Sequence, residues 1–163
     1  MISIQKELTI DVSQETAFKV FCQQMDLWWP RSHHAGKTPM VKMVLEPKGK
    51  GRWYSTHQDG EECKIGFIQD FEPNSRLVLV WQLNGEFAHD PALHTEVELN
   101  FIVQDSQHTR VTFAHRNLET LGKAVEGMNQ GWGMILDLFS ALANNGKLDV
   151  EALGLYQRAT VDQ

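Results

Sequence analysis

The clearest structural signal in the sequence is TEVELNFIVQDSQHTRVTFAH, residues 95–115. Apolar or β-branched side chains occupy alternate positions up to Val103 and again from Thr109 to Phe113, and a polar turn separates the two runs. A period of two is typical of a strand that buries one face. The stretch therefore predicts two antiparallel strands joined by a hairpin.

The same period runs through much of the upstream sequence. Residues 2–10 alternate, with Lys6 as the one break in the apolar face, and a longer series begins at Val41. The runs in that series are separated by turn signals such as Asp59-Gly60 and Pro73-Asn74. Together they predict one antiparallel meander of about six or seven strands.

Helical periodicity occurs in two places. Residues 14–23 predict a short amphipathic helix, and Met25 to Trp29 predicts a turn or a second short helix. The longest helical stripe runs from Met128 to Ala143, and an Asn-Asn-Gly sequence ends it. For residues 147–163 we expect a short helix or a frayed tail.

An antiparallel sheet with one apolar face must bury that face, and the long C-terminal helix is the only predicted element large enough to cover it. We therefore predict an α+β fold in which a curved antiparallel sheet wraps around that helix, with two short helices after the first strand. A chain of 163 residues suits one domain. We expect a single domain over residues 1–163, with a core of about residues 3–145.

Composition and charge argue against several classes of function. Fifteen Lys and Arg against 21 Asp and Glu give a net charge of −6, which disfavours nucleic acid as a partner. No run approaches the roughly 20 apolar residues of a membrane span, and residues 1–10 are too polar for a secretory signal. We therefore expect Cys22 and Cys63 to be reduced thiols in a cytoplasmic protein.

Several segments resemble a known superfamily. VSQETAFKVFCQQMDLWWP, residues 12–30, resembles an opening helix followed by Trp-Trp-Pro, and residues 51–81 resemble its Gly-Arg, Asp-Gly and Pro-x-x-Arg-Leu pattern. TRVTFAH, residues 109–115, and GWGMILDLFSAL, residues 131–142, resemble its penultimate-strand His motif and final helix. The resemblance is to the START-like, helix-grip superfamily, in the branch related to activators of the heat-shock protein ninety ATPase. That superfamily includes lipid carriers, hormone receptors, cyclases and co-chaperone domains, so the resemblance implies the fold more than the function.

The space between the sheet and the long helix is the candidate site. Proteins hold small hydrophobic molecules in apolar cavities that carry one or two polar groups. The same side chains can equally fill an ordinary core, and both interpretations are open at this point. The predicted ligand-binding residues face this space from the sheet, the long helix and the end of the second short helix: Trp29, Ile65, Phe67, Trp81, Leu99, Phe101, Phe113, His115, Met128, Trp132 and Ile135.

His115 is the one candidate catalytic residue. It lies two positions after Phe113 on the same predicted strand, so its side chain should point into the predicted core as well. A partly buried imidazole can move a proton or anchor a ligand, or it can be a core histidine bonded near Trp132. No catalytic residue is assigned. The adjacent His33 and His34 predict a solvated loop, because zinc usually needs three or four ligands. No metal and no other cofactor is predicted.

These observations favour a non-enzymatic protein that binds a small apolar molecule of unknown identity. One alternative is a protein-interaction domain like that of a co-chaperone. Another is a small hydrolase, cyclase or lyase that uses His115 as acid or base. A homodimer through the outer face of the sheet, at Val78, Val80 and Ile102, is also considered.

Overall fold

The computed structural model describes residues 2–148. The predicted tail therefore lies almost wholly outside the described residues, which end at Leu148. The elements follow in the order β1 (Ser3–Ile10), α1 (Gln14–Gln23), α2 (Met25–Trp28), β2 (Met40–Leu45), β3 (Arg52–His57), β4 (Glu62–Glu72), β5 (Arg76–Trp81), β6 (Thr95–Asp105), β7 (His108–Arg116), a 3-10 turn (Glu119–Leu121) and α3 (Ala124–Asn145).

The seven strands form one curled antiparallel sheet in the order β1-β7-β6-β5-β4-β3-β2. Every neighbouring pair is antiparallel, and β2 to β7 follow one another as a meander, while β1 pairs with β7 at the far edge. The inner face of the sheet packs on α3, with α1 and α2 at one end. The predicted α+β helix-grip architecture is confirmed.

Local sequence signals explain where the helices begin and end. The Ser13 hydroxyl caps α1 by accepting a hydrogen bond from the backbone N–H of Thr16. Gly146 ends α3 in the left-handed conformation, with φ of 74°, which glycine adopts without steric cost. Helix α3 begins at Ala124, one turn before the apolar stripe that predicted it. The stripe does not include this first turn, because Ala124 and Gly127 have no large apolar side chain.

The core lies between α3, α1 and the inner face of the sheet. The ring of Phe139 on α3 contacts Phe21 on α1 edge-on, with ring centroids 5.3 Å apart, and Phe21 in turn contacts Phe101 on β6. Lys6, the break in the apolar face of β1, pairs with Phe113 and so belongs to this inner face. Its ammonium group lies 3.7 Å from the position that a Cβ at Gly133 would occupy. The lysine side chain therefore lies between β1 and α3.

Two β-bulges in β4 correct the predicted orientation of Phe67. Ile65 is the extra, unpaired residue where β4 pairs with β3, and Gln69 is the extra residue where β4 pairs with β5. Each extra residue reverses the alternation of side chains. Ile65 and Ile68 are buried as a result, whereas Phe67 pairs with Val80 on the outer face and is only half-buried. The prediction that Phe67 faces α3 is wrong.

The outer face of the central strands carries a network of charges. Arg116 bonds to Glu96 and Glu98, and Arg76 bonds to Glu98. Burial alone would raise the pKa of Glu98, but hydrogen bonds from Arg116, Asn100 and Arg76 outweigh it and lower this pKa to about 2. The carboxylate therefore stays ionised throughout the physiological range.

This network covers the two valines considered above as dimer contacts. Val78 and Val80 pair with Glu98 and Glu96 on the outer face, and neither side chain is exposed. They consequently offer no apolar surface to a second copy. Ile102, in contrast, is exposed. No helix within residues 2–148 is long and apolar enough to cross a membrane.

Candidate ligand-binding site

A pocket of about 310 Å³ lies between the N-terminal half of α3, the β5–β6 connection and the loop after α2. Its volume is at the low end of the range of about 300–1,000 Å³ that small-molecule sites occupy. The wall is mostly aromatic and aliphatic, with a few polar groups. The lining residues are Trp29, His33, Trp81, Asn84, Gly85, Phe87, Lys123, Ala124, Gly127, Met128, Gly131, Trp132 and Ile135.

Small residues on one face of α3 create part of this space. Ala124, Gly127 and Gly131 recur at intervals of three and four residues, so they lie on the same side of the helix. A Cβ at Gly127 would meet no atom within 4 Å, and a Cβ at Gly131 would lie 3.6 Å from the ring of His33. Because neither glycine is required by close packing, each leaves volume at the pocket instead.

Four tryptophans form a closed ring of contacts beside the pocket. Trp29 contacts Trp53 and Trp132 at centroid distances of 6.0 and 5.9 Å, and Trp81 contacts the same two rings at 5.5 and 5.6 Å. Trp28 joins this ring through Trp29, at 6.0 Å. Edge-on and tilted contacts of this kind are favourable between aromatic rings. The aromatic wall is therefore held by its own members as well as by the sheet.

The three tryptophans that line the pocket use their indole N–H groups inside the protein. An indole nitrogen can only donate a hydrogen bond. Because each of these N–H groups already has an acceptor in the protein, the tryptophans present only apolar ring faces and edges to the pocket. Such a wall suits an apolar or aromatic ligand. The bonds run from Trp29 Nε1 to the carbonyl oxygen of His33 (2.6 Å), from Trp81 Nε1 to that of Leu83 (3.0 Å) and from Trp132 Nε1 to His115 Nδ1 (3.0 Å).

His115 belongs to a buried chain of hydrogen bonds. Because Trp132 can only donate, His115 Nδ1 must be the acceptor, and the ring proton is on Nε2. Nε2 donates to the hydroxyl of Thr95 at 2.9 Å, and that hydroxyl donates to the carbonyl oxygen of Trp81 at 2.8 Å. Burial lowers the pKa of His115 to about 3, so the ring is neutral at physiological pH. The chain of bonds ties together two walls of the pocket.

The polar groups of the pocket come from three segments. Asn84 lies after β5, Lys123 lies at the start of α3, and His33 lies in the loop after α2. Burial, and to a lesser degree the neighbouring His34, lower the pKa of His33, which favours its neutral form. The N-terminal end of α3 adds partial positive charge to the same region. No aspartate or glutamate lines the pocket among the residues that the structure describes.

The structure separates the sequence-predicted residues into three groups. Trp29, Trp81, Met128, Trp132 and Ile135 line the pocket. Phe67 lies on the outer face of the sheet, as described above. The remaining members are buried in the core and do not line the pocket: Ile65, Leu99, Phe101, Phe113 and His115.

Sequence reasoning missed the contribution of the β5–β6 connection. Asn84, Gly85 and Phe87 line the pocket, and Phe87 is a partly exposed aromatic residue at a φ of 58°. A phenylalanine within a largely polar connection is the feature of the sequence that could have indicated this part of the pocket. The other available signal was the spacing of the small residues in α3, which indicates a helix face that does not pack closely.

A second polar cluster lies under the loop after α2. The N–H of His57 Nδ1 donates to the carbonyl oxygen of Thr38, and Nε2 is hydrogen-bonded to the Ser55 hydroxyl at 2.8 Å. The ring of His34 contacts that of His57 in a tilted arrangement, with centroids 5.0 Å apart, and the thiol of Cys63 lies nearby across Gly36. Ser55 and His57 are buried, and neither lines the pocket. Thus the cluster fixes the loop.

Neither thiol nor metal chemistry is evident in the described part of the chain. Cys22 and Cys63 are free cysteines, and burial raises the pKa of Cys22 to about 12, which keeps it protonated. Within residues 2–148, no three His, Cys, Asp or Glu side chains are grouped so that they could hold a metal ion.

A curled antiparallel sheet that grips a C-terminal helix, with short helices after the first strand, defines a START-like helix-grip protein. The family model described as activator of Hsp90 ATPase homolog 1-like protein matches residues 11–144, and the chain belongs to that family. A search of curated proteins finds no significant match.

Solved structures with this fold include proteins of different roles. The self-sacrificing resistance protein CalC from Micromonospora echinospora is 28% identical, with a TM-score of 0.69 over 90% of this chain and 97% of that one. The anthrahydroquino-gamma-pyrone synthase Txn09 is 27% identical, with a TM-score of 0.62 over 87% and 97% of the two chains. Aha1 from Colwellia psychrerythraea, solved as a dimer, is 17% identical, with a TM-score of 0.58 over 91% and 100%, and this likeness shows the fold alone.

Proposed function

We propose that this protein binds a small, flat, apolar molecule in the pocket beside the tryptophan ring. The observation that carries the proposal is the pairing of two unlike walls. One wall consists of Trp29, Trp81 and Trp132, whose N–H groups are already bonded, and the other is the small-residue face of α3 at Gly127. An aromatic ring system can fit into space lined in this way and stack on indole.

The relatives support a ligand of this kind. Txn09 is named as the synthase of an anthrahydroquino-gamma-pyrone, a fused aromatic product, and it shares 27% identity with this chain. From this relative we carry over to the present protein only the class of ligand, namely a molecule of a few fused rings. The pocket volume of about 310 Å³ favours a compact molecule over a long acyl chain.

We assign His115 a positioning role in this function. Both of its ring nitrogens are bonded within the protein, and the ring is fully buried behind Trp132 and Trp81. A general base must reach the proton that it removes, directly or through one water molecule. The proposal therefore uses His115 to hold the two tryptophans, and it includes no acid–base step.

Quenching of tryptophan fluorescence by anthraquinone-2-carboxamide, a neutral molecule of three fused rings, tests the proposal. We expect saturable quenching by the wild-type protein. In Gly127→Leu, the new side chain enters open space at the pocket, so the Kd should rise at least about tenfold without loss of folding.

Gln130→Leu is the matched control, because it adds the same side chain to an exposed position of α3 that does not line the pocket. Its Kd should equal that of the wild type. Circular dichroism melts establish that both variants are folded. If the wild type shows no saturable quenching by this probe or by its carboxylate analogue, or if the two leucine variants bind alike, the proposal is refuted.

A further inference from the structure

The polar groups at the pocket share one electrostatic character. The chain carries a net charge of −6, yet the pocket contains a lysine and no carboxylate among the described residues. Acidic side chains outnumber basic ones by 21 to 15, so a pocket lined at random would more often carry a negative charge. The one lysine that lines the pocket thus has the opposite sign to the net charge of the chain.

Lys123, like the other lysines within residues 2–148, has no ion-pair partner, whereas the arginines in that range are paired. Arg52, Arg76, Arg110 and Arg116 each form an ion pair with a glutamate. Within residues 2–148, Lys123 forms no ion pair and donates no hydrogen bond. A cation at the edge of an apolar pocket, with no carboxylate beside it, can pair with an anionic group on a ligand.

Asn84 lines the same pocket, and its side-chain oxygen is already used as an acceptor. Its side-chain oxygen accepts bonds from the backbone N–H groups of Glu86 and Ala88, at 2.9 and 3.1 Å. These two bonds fix the orientation of the amide, because only the oxygen can accept them. The Nδ2 group forms no hydrogen bond within the described part of the chain, so its two N–H donors are available to a ligand.

His33 completes the polar side of the pocket without adding an acid. One ring nitrogen, Nδ1, is 2.7 Å from the hydroxyl of Ser32, and the ring lies against Gly131 on α3. Within residues 2–148, Nε2 forms no hydrogen bond, and it lies with Cδ2 on the side of the ring that faces Gly131.

We infer that the pocket selects flat aromatic molecules that carry an acidic group, with the acid at Lys123 and Asn84 and the rings on the tryptophan wall. This inference rests on the proposed function and adds the charge of the ligand to it. A carboxylate or an ionised phenol would satisfy the same donors, and a neutral ring system would leave them facing an apolar surface.

Two matched probes test the charge preference. Anthraquinone-2-carboxylate and anthraquinone-2-carboxamide have nearly the same shape and differ by one negative charge at pH 7.5. We expect the wild type to bind the carboxylate about tenfold more tightly at low salt, the size of a charge-assisted hydrogen bond. The ratio should fall as salt is added, because counter-ions screen the exposed side of the pair.

Variants assign the preference to its source. In Lys123→Gln, the ratio of the two Kd values should fall to near one. Lys64→Gln removes the same charge from an exposed position on the outer face of β4, away from the pocket, and should keep the wild-type ratio. Melting curves confirm that both variants are folded.

The outcomes separate the two proposals. If the wild type binds both probes with equal affinity, the charge inference is overturned while the proposed function stands. The inference is also overturned if Lys123→Gln keeps the tenfold ratio; if both Kd values rise together at that ratio, the variant has lost shape rather than charge. If neither probe binds, both proposals fail.

Discussion

Trp132 on the long helix donates its indole N–H to Nδ1 of His115 on the penultimate strand, at 3.0 Å. This bond fixes the tautomer of the histidine and orients the largest side chain of α3 against the sheet. The same tryptophan packs on Phe113, with centroids 4.8 Å apart. This polar contact and this aromatic contact both join α3 to β7 of the curled sheet.

Replacing the acceptor should destabilise the protein. In His115→Leu, the N–H of Trp132 is buried without a partner, so we expect the free energy of unfolding to fall by about 2–3 kcal/mol. His115→Asn places a side-chain oxygen near the position of Nδ1 and should recover part of the loss. Urea unfolding measures all three proteins. A leucine variant as stable as the wild type would show that the bond contributes nothing.

The neutral state of His115 makes stability depend on pH. Its pKa falls from 6.5 in the unfolded chain to about 3 in the folded protein, so the unfolded state binds more protons between these values. Stability is therefore complete above pH 6.5 and is lost as the pH falls toward 3. We expect this residue alone to cost about 2 kcal/mol at pH 5.

Urea unfolding at pH 7.5 and pH 5 measures this loss. In His115→Asn, which cannot titrate, the decrease should be smaller by the same amount. His33 and His34 also have lowered pKa values, caused chiefly by burial, and they leave a residual decrease of the same sign. An identical pH profile for wild type and His115→Asn would contradict the assignment.

Gly66 on β4 should tolerate no side chain. A Cβ there would collide with the backbone carbonyl oxygen of Val80 on the neighbouring strand β5. We expect Gly66→Ala to lower the free energy of unfolding by more than about 3 kcal/mol or to prevent folding. Gly49→Ala is the control, since a Cβ at Gly49 meets no atom within 4 Å. Equal yields and melting temperatures for the two variants would disprove the collision.

Gly127→Ala should stabilise the protein. The residue is exposed within α3, and a Cβ there meets no atom within 4 Å, so the gain in helix propensity is not offset by a clash. We expect the free energy of unfolding to rise by about 0.5–1 kcal/mol in a urea titration. Gly60→Ala, at a φ of 84°, serves as the contrast and should destabilise. A loss of stability in Gly127→Ala would indicate that α3 requires a glycine at this position.

The fold could be predicted because its signals are local and repeated. The Ser13 cap, the alternation from Thr95 to Phe113 and the stripe that leads to Phe139 each follow from the spacing of adjacent residues. Long elements with one buried face leave little freedom for a different arrangement. The resemblance of the Trp-Trp-Pro and Gly-Trp segments to the superfamily agrees with this prediction, and the family model matches the residues that contain both segments.

The site was only partly predictable, because it depends on local irregularities and on empty space. Alternation alone cannot show that Ile65 and Gln69 are extra residues in β4, and so it placed Phe67 on the wrong face. Periodicity identifies which side chains are buried, but it does not indicate where packing stops. The part of the pocket formed by Phe87 depends on how one loop folds back over α3, which no repeating pattern encodes.

All five tryptophans of the chain belong to one connected cluster, since Trp28 touches the ring formed by Trp29, Trp53, Trp81 and Trp132. Indoles this close exchange electronic excitation faster than they emit light. The five tryptophans therefore share their excitation energy, and a quencher bound to any one of them should reduce the fluorescence of all five. A quencher bound in the pocket should therefore quench most of the intrinsic fluorescence, so ligand binding can be followed without an added label.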